Sequence, residues 1–342
     1  MTFAIPDETP KKMQAQSSLR IAFISTLSTP FIQDDLEMLK RYYRIEVQIG
    51  SGIYHILKIA LSCIKSDIAF CWFASTYSSI AVWMMRLLHR KSIIVIGGVD
   101  VARDEKLQYG IWLVPWKARF VRYALKHASK IIAVDDSLGE KARQLAGYNG
   151  ENMEIVPTGY DINFWKISEI HKIKSVLTIA IAEDERRLRV KGFDVLLEAA
   201  HLLPNIPFTI IGLSERIVRG LNVPTNVEII PSMDRKSLLP YYQRTKVYCQ
   251  PSRHEGMSNV LCEAMLCGCI PVATNVGATQ SILGDEGIIV SLGDVSALVS
   301  ALQRAMQFSE EKGYKVREQV ANRFTRKQRE QKLIEILWKL FP

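Results

Sequence analysis

The sequence predicts an α/β protein built from two Rossmann-like, doubly wound domains. Short apolar runs rich in β-branched residues alternate with helical segments along most of the 342 residues, as expected for parallel sheets covered by helices. A polar, lysine-rich stretch interrupts this alternation just after residue 166, and the same pattern then restarts. A chain of this length is also longer than one hydrophobic core ordinarily accommodates, so two domains are expected. We therefore place a boundary between two domains near residue 166.

The composition is typical of a folded soluble protein, because 48% of the residues are hydrophobic and 23% are charged. The first 17 residues are an exception, since they combine two prolines with mixed charges and lack an apolar core segment. They do not form a signal peptide, and we expect a flexible tail.

Strands and helices alternate through the first half of the chain. Strands are predicted at residues 19–26, 45–49, 67–73, 92–98 and 129–135, and helices at 30–43 and 53–65. The longest uncharged run, residues 68–85, has 18 residues and just reaches the length of a membrane span. Its centre, STYSS, is polar and turn-like. A buried strand followed by the first turns of a helix therefore fits this run better than a span.

The second half repeats the alternation. Strands are predicted at residues 175–182, 208–212, 226–230 and 246–252, and helices at 192–203 and 235–245. Residues 294–308 supply a closing helix for this domain, and residues 324–340 form one more amphipathic helix. The apolar stripe of that last helix must be buried against some other part of the protein. We expect it to cross back and pack on the first domain.

The predicted organisation follows from these elements. It comprises a tail at residues 1–17, an N-terminal domain at 18–166 plus 325–342, and a C-terminal domain at 167–324. The six cysteines show no disulfide framework, and no histidine pair at metal spacing accompanies the cluster of Cys262, Cys267 and Cys269. Buried, inert thiols are the better interpretation, in keeping with a reducing cytoplasm. The net charge of +9 suits nucleic acid, an anionic membrane or a phosphorylated small molecule without choosing among them.

Two glutamates, Glu255 and Glu263, have seven residues between them and lie among apolar residues within residues 249–274. Buried carboxylates need partners, and ligands of open α/β sheets bind beyond the carboxyl ends of strands. Gly256 permits close backbone approach. Ser258 or Asn259 can cap the following helix, whose amino terminus attracts phosphate. Carboxylates also accept hydrogen bonds from sugar hydroxyls, so the pair could grip a ribose on one side and a hexose on the other.

This region resembles the retaining GT-B glycosyltransferases, specifically the large family 4 group that includes bacterial mannosyl-, glucosyl- and GlcNAc-transferases. The resemblance rests on EGMSNVLCEAM, which matches the E-x7-E motif, on the preceding PSRH and on the following CGCIPVATNVGA. Upstream, RRLRVKGFDVLLEAAHLLP matches the basic-then-KG segment of the family, and FTIIG follows it. The resemblance covers about 130 residues of the C-terminal half at the level of sequence motifs. It covers the N-terminal half only in the order of predicted strands and helices. The resemblance implies two domains that face a cleft.

The resemblance also implies roles for individual residues. Glu255 would contact the transferred sugar, Glu263 would bind the nucleotide ribose, and Lys191 would neutralise the diphosphate. An upstream arginine would assist Lys191, and we prefer Arg186 over Arg187 and Arg189. The backbone of the segment after Glu255 would hold sugar and pyrophosphate oxygens; it consists of Gly256, Met257, Ser258, Asn259 and Val260.

The sequence departs from the family pattern at several positions. Many members carry a histidine after the fourth N-terminal strand, whereas VIGGVDVARDE has none. Asp100 is the polar group nearest to that position and is our candidate to face the acceptor or donor sugar. The first loop, STLSTPF, lacks the glycine pair of many members. His254 invites a role as a general base, and its relation to Glu255 stays open.

Each assignment has a structural alternative. Glu255 and Glu263 would then cap a loop and pair with arginines, and Lys191 would be a solvated lysine at the start of a helix. Residues 111–130 contain five lysines and arginines and no acid, with Arg119, Arg122, Lys126 and Lys130 at helical spacing. Such a helix can lie at an anionic membrane surface. The alternative is an ordinary surface helix that packs its apolar face on the sheet.

The function predicted from these features is transfer of a hexose from a nucleotide-diphosphate sugar to a glycan or lipid-linked acceptor, in cell-surface polysaccharide or lipopolysaccharide synthesis. We expect no cofactor and no metal, since cations and a helix terminus would support the departing diphosphate, and no nucleic-acid partner. The expected location is the cytoplasm, with peripheral contact at the inner face of the membrane as an extension. The alternatives are a GT-B nucleotide-sugar epimerase, a basic nucleic-acid-binding protein and a glycoside hydrolase.

Overall fold

The computed structural model describes residues 19–341. The predicted tail, residues 1–17, therefore lies outside the described residues. Within them, the chain forms two parallel six-stranded sheets with helices packed on them. The predicted α/β class with two doubly wound domains is confirmed.

The first domain contains the strand order β2-β1-β3-β4-β5-β6, with each neighbouring pair parallel. Its strands are β1 (Arg20–Ser25), β2 (Arg44–Ile49), β3 (Ile68–Trp72), β4 (Lys91–Ile96), β5 (Lys130–Ala133) and β6 (Met153–Ile155). Its helices are α1 (Pro30–Lys40), α2 (Ile53–Lys65), α3 (Thr76–Leu87), α4 (Pro115–His127) and α5 (Asp136–Ala146). The core strands β3 and β4 are almost continuously buried, as expected for a sheet covered on both faces.

The structure tests two predictions for this domain, the uncharged run at residues 68–85 and the basic helix. The uncharged run at residues 68–85 divides into strand β3 and most of helix α3, separated by a turn, as its polar centre predicts. The basic helix is shorter than predicted, because α4 ends at His127. Lys130 instead begins strand β5, and its ammonium pairs with the Glu154 carboxylate on neighbouring β6 at 3.0 Å. Lys130 therefore does not belong to the basic helix face.

The second domain has the strand order β12-β11-β10-β7-β8-β9, again parallel throughout. Its strands are β7 (Ile173–Ala182), β8 (Phe208–Leu213), β9 (Val227–Ile230), β10 (Thr245–Gln250), β11 (Ile270–Thr274) and β12 (Ile288–Val290). Its helices are α6 (Glu185–Val190), α7 (Phe193–Leu202), α8 (Glu215–Val218), α9 (Arg235–Arg244), α10 (Asn259–Leu266), α11 (Thr279–Leu283), α12 (Val295–Gln307) and α13 (Glu310–Ala321). The chain begins this sheet at β7, proceeds outward to β9, and then returns to the other side of β7 with β10. The loops after β7 and β10 consequently diverge at the carboxyl edge, where such sheets bind ligands.

Two connections cross between the domains side by side. The first runs from β6 to β7, and the second leads from α13 into the final helix α14 (Arg326–Leu340). They are joined by backbone hydrogen bonds of 2.9 Å from the Tyr160 amide to the Phe324 carbonyl and from the Arg326 amide to the Tyr160 carbonyl. The predicted boundary near residue 166 falls within the first connection.

The final helix packs on α1 of the first domain. Its apolar residues Leu333, Ile336 and Leu337 are buried. Arg329 is also buried, and its guanidinium donates two hydrogen bonds to the Asp35 carboxylate, at 2.5 and 2.6 Å. It donates two more, both 2.9 Å, to backbone carbonyls that follow β6. A buried ion pair with this many partners fixes the position of the helix.

All six cysteines are buried free thiols, so the interpretation of the cysteines as buried thiols agrees with the structure. Burial raises the pKa of the Cys63 thiol to about 12, as expected for an inert group. No helix in the part of the chain that the structure describes is long and apolar enough to cross a membrane.

Candidate active site

The candidate site lies at the carboxyl edge of the second sheet, where the loops after β7 and β10 meet. Lys191 ends the short helix α6 that follows β7, and Glu255 lies in the loop that follows β10. The two residues are 64 positions apart in sequence, yet the Lys191 ammonium donates to the Glu255 carboxylate at 2.7 Å. The structure thus brings together the two charged residues on which the family resemblance most depends.

Gly192 explains how the two loops approach each other so closely. It has a φ of +71°, in the left-handed region, and a Cβ at this position would lie 1.9 Å from the Pro251 carbonyl oxygen. The Arg253 amide also donates to the Val190 carbonyl at 2.8 Å. The KG sequence therefore has a structural reason: the glycine lets the lysine turn against the end of β10.

The Glu255 carboxylate has two partners on its own domain. One oxygen accepts from both the Lys191 ammonium and the Ser252 hydroxyl, each at 2.7 Å. The side chains of Lys191 and Glu255 are 19% and 12% exposed, so water screens the pair only weakly. This arrangement holds a positive and a negative group ready at one edge of the sheet.

Gly256 forms the contact between the site and the first domain. A Cβ on this residue would lie 1.8 Å from the carbonyl oxygen of Gly97, which follows β4. The Gly256 carbonyl in turn accepts from the Ala278 amide at 3.0 Å. Only a glycine permits this packing between the loop of the second domain and the first domain.

The start of α10 keeps its amides directed at the same edge. Ser258 is the N-cap, but its hydroxyl donates to the Gln250 side chain instead of accepting from the first amides of the helix. Asn259 also does not cap the helix, since its side-chain oxygen accepts from the Tyr160 hydroxyl at 3.0 Å. Met257 is buried and Val260 half-buried. The amino end of this helix is therefore available to a negatively charged group.

Glu263 lies one turn into α10 and is only 3% exposed. Its carboxylate accepts from the Tyr242 hydroxyl at 3.2 Å and lies 3.4 Å from the Arg235 guanidinium. Burial raises the pKa of Glu263 to about 7, an effect opposed by Arg235 and by the hydrogen bond from Tyr242. A carboxyl group with this pKa changes charge near neutral pH.

Arg235 connects Glu263 to the first domain. Its guanidinium donates to the carboxylate of Asp34, on α1, at 2.7 Å. Asp34 lies 3.7 Å from the Arg326 guanidinium at the start of α14. Sequence reasoning missed Asp34 and Arg235, since nothing in their local sequence distinguishes them from solvated helix residues.

The three candidate arginines of α6 differ in their surroundings. Arg186 donates to the Gln108 carbonyl of the first domain at 3.3 Å, and Arg187 lies over the Tyr109 ring with its guanidinium carbon 5.9 Å from the ring centre. Arg189 instead pairs with Glu185 on its own helix at 3.8 Å. Arg186 and Arg187 therefore both face the first domain, whereas Arg189 does not show such a contact.

Asp100 lies under the glycine turn that follows β4. Its carboxylate is 1% exposed and accepts hydrogen bonds from the amides of Ala74, Gly97 and Gly98, the shortest being 2.7 Å. Burial raises the pKa of Asp100 to about 6, and the amide hydrogen bonds oppose this shift. Asp100 thus holds the glycine turn that meets Gly256, and its contact with a sugar stays a prediction.

His254 also has a partner across the domains. Its Nε2 lies 2.7 Å from the Asp104 carboxylate, and its ring lies 5.2 Å from that of Tyr109. The hydrogen bond from His254 lowers the pKa of Asp104. The loop between Asp104 and Tyr109 therefore closes over the candidate site from the first domain, a feature that no local motif predicts.

Comparisons with known proteins concern the sequence and the fold of this chain. Residues 177–307 match the family model described as glycosyl transferases group 1. The chain is 21% identical over 198 residues to a phosphatidylinositol N-acetylglucosaminyltransferase component of Arabidopsis thaliana, covering 55% of this chain and 44% of that protein. It is 26% identical over 170 residues to MMP alpha-(1->4)-mannosyltransferase of Mycolicibacterium hassiacum, covering 46% and 40%. The matches span less than half the length of these two relatives.

Solved structures extend the likeness to almost the whole chain. The structure of Anabaena HepE in complex with UDP superposes with a TM-score of 0.75 at 14% sequence identity, covering 94% of this chain and 100% of that one. Sucrose-phosphate synthase from Thermosynechococcus elongatus gives a TM-score of 0.76 at 16% identity, covering 94% and 99%. At such low identities the likeness concerns the fold. The chain thus has the GT-B fold, and its residues 177–307 are similar to the group 1 glycosyltransferases.

Proposed function

We propose that this protein is a retaining glycosyltransferase that moves a hexose from a nucleotide-diphosphate sugar to a glycan or lipid-linked acceptor. The observation that carries the proposal is the pair of Lys191 and Glu255 at the edge between β7 and β10, 2.7 Å apart and mostly buried. A cation held here can meet the diphosphate, while the carboxylate can meet sugar hydroxyls. The names of the relatives, which include transferases of N-acetylglucosamine and mannose, support a hexose as the transferred group.

The donor would lie along the second domain. The diphosphate would lie at the amino end of α10, where the helix dipole and the charges of Lys191 and Arg186 favour negative charge. Negative charge grows on the diphosphate as the glycosidic bond breaks, so these groups would stabilise the transition state more than the bound donor. Glu263 would accept hydrogen bonds from the ribose. We propose no metal and no cofactor for this step.

The acceptor would approach from the first domain. The loop from Asp104 to Tyr109 contacts His254 and Arg186, so it is placed to respond to both substrates. We propose an acceptor in cell-surface polysaccharide or lipopolysaccharide synthesis and a cytoplasmic location. The name of a further relative, O-antigen chain mannosyltransferase B of Escherichia coli, supports this class. The basic helix α4 would contact an anionic membrane surface.

The first experiment is a thermal-shift screen with UDP, GDP, ADP and their sugars. A ligand at 100 times its dissociation constant stabilises the folded protein by about 2.7 kcal/mol, so the preferred nucleotide should raise the melting temperature by several degrees. With the preferred donor, mass spectrometry then detects transfer of the sugar to an acceptor, and NMR spectroscopy detects an isomerised donor and the anomeric configuration of the product. A sugar transferred with its anomeric configuration kept supports the proposal, whereas an isomerised donor without transfer, or no nucleotide binding at all, contradicts it.

A further inference from the structure

Helix α2 of the first domain exposes its largest apolar side chains and buries a mixed face formed by His55, Ile59, Ser62 and Cys63. Its buried residues include the polar side chains of His55 and Ser62, and the His55 Nε2 and Ser62 hydroxyl have no hydrogen-bond partner among the described residues. Its large apolar side chains point to solvent, with exposed fractions between 50% and 80%; they are Ile53, Tyr54, Leu57, Leu61 and Ile64. At 100° per residue these five positions fall within about a quarter of the helix circumference. Such an apolar stripe facing water has a cost unless something covers it.

The two neighbouring helices extend the same apolar surface. Helix α3 packs beside α2 and exposes Trp83 and Leu87, one helical turn apart. Helix α4 packs beside α3 and exposes Trp116 and Phe120, also one turn apart, with ring centres 6.2 Å from each other. A groove of about 470 Å³ separates α3 from α4; it is lined by Ser79, Ile80, Trp83, Arg119, Phe120 and Tyr123. We call the outer face of these three helices the α2–α4 surface.

Its charge is of one sign. The three helices contain no aspartate or glutamate, and their seven basic residues are Lys58, Lys65, Arg86, Lys117, Arg119, Arg122 and Lys126. A protein partner recognised by an apolar patch needs no such bias. Exposed leucine, isoleucine and tryptophan interleaved with lysine and arginine, and without any acid, match the interface of an anionic bilayer.

The α2–α4 surface lies on one face of the first sheet, and its helices begin at the edge of the sheet that faces the candidate site. Crossovers between parallel strands are right-handed, so α2, α3 and α4 lie on the sheet face opposite to α1 and the final helix α14. Each of the three helices begins after the carboxyl end of a strand. Their first turns, which carry Ile53, Tyr54 and Trp116, consequently reach the side of the sheet where the site lies.

We infer that the α2–α4 surface lies in the interface of an anionic lipid bilayer, with its apolar side chains inserted among the acyl chains and its basic side chains at the headgroups. The inference rests on the proposed function only in explaining what docking achieves: a lipid-linked acceptor would enter the cleft from the membrane without leaving it. Vesicle binding itself requires no nucleotide sugar.

The test uses the full chain and sedimentation with vesicles of phosphatidylcholine, alone or mixed with phosphatidylglycerol. The protein should bind the mixed vesicles more strongly, and added salt should weaken that binding. Leu57→Glu combined with Leu61→Glu should reduce the partition coefficient at least about tenfold. A matched control combines Leu202→Glu with Leu292→Glu in the second domain, where the two leucines are similarly exposed, and it should stay within about twofold of wild type.

Three results would overturn the inference. The first is no binding to either vesicle, and the second is an equal loss in the α2 variant and in its control. The third is a dimer in solution that the α2 variant dissociates, which would make the surface an interface between copies of this chain. Trp116→Glu on α4 tests the same surface if the α2 variant does not fold. Stabilisation by UDP, GDP or ADP is measured on every variant, so failure of membrane docking and failure of the proposed function remain distinguishable.

Discussion

The carboxyl edges of the two sheets contain acidic residues that are used in opposite ways. In the second domain, Glu255 is held by side chains, an ammonium and a hydroxyl, that can exchange partners when a ligand arrives. In the first domain, Asp100 is held by three backbone amides that cannot move without the loop. We call the edge around Glu255, whose partners are side chains, the candidate reactive edge. We call the edge around Asp100, whose partners are backbone amides, the shaped edge. Burial of an acid is therefore not enough to identify a site, because the type of partner determines what the acid can do.

The largest effect is expected at the candidate reactive edge, where removal of the Lys191 ammonium should lower the turnover rate. Lys191→Ala should lower kcat by about 100-fold, since the lysine would stabilise charge that develops on the diphosphate. The melting temperature should also fall, because the variant leaves the mostly buried Glu255 carboxylate without its cationic partner. Lys191→Arg serves as the matched control and should retain more activity. A kcat within about twofold of wild type would make the lysine a bystander.

At the shaped edge, removal of the Asp100 carboxylate should lower the unfolding free energy of the protein. Asp100→Ala leaves three buried amides without an acceptor, and we expect a loss of about 2–3 kcal/mol of unfolding free energy. Chemical denaturation measures this loss. Asp104→Ala, in the same domain but on a partly exposed loop, should cost less than about 1 kcal/mol. An Asp100→Ala protein as stable as wild type would contradict the assignment of Asp100 as the residue that holds the glycine turn.

The raised pKa of Glu263 predicts that both nucleotide affinity and stability depend on pH near neutrality. Its ionised form would accept hydrogen bonds from the ribose under the proposed function, so affinity for the preferred nucleotide should rise several-fold as the pH increases through about 7. The effect on stability has the opposite sign. Because the folded pKa lies above the unfolded value of 4.5, the contribution of Glu263 is fully present below pH 4.5 and is lost as the pH rises through about 7. Calorimetric titrations of wild type and Glu263→Gln test this, since the variant should bind weakly and without that pH dependence.

A smaller effect than that of Lys191 is expected for the arginines of α6. Arg186→Ala should lower kcat/KM by about tenfold, because this residue faces the first domain and would assist the diphosphate. Arg189→Ala should change it less than about twofold, since Arg189 pairs only within its helix. Equal losses in both variants would mean that general positive charge on α6 matters and that no single arginine is positioned for the donor.

Local sequence predicted most of the strands and most of the helices, because period, β-branched residues and turn residues act over a few positions. The three-residue strands β6 and β12 were missed. Helix α6 was missed because it is short and its sequence, ERRLRV, is dominated by charge. The basic helix was extended too far because its charge spacing continues into Lys130, whose backbone instead pairs with Ile93 of β4 as part of a strand. Local patterns do not reveal where sheet pairing overrides a helical repeat.

The sequence by itself also determined the candidate site, since the E-x7-E spacing and the KG dipeptide lie within two short segments. Tertiary structure alone decided which partners these residues meet. Arg329 finds Asp35 across 294 positions, and Arg235 joins Glu263 to Asp34 of the other domain. The direction in which Asp100 points is likewise set by the turn around it. The physical reason is that a motif records the residues required at one position, whereas burial and hydrogen bonding depend on segments that meet only after the chain has folded.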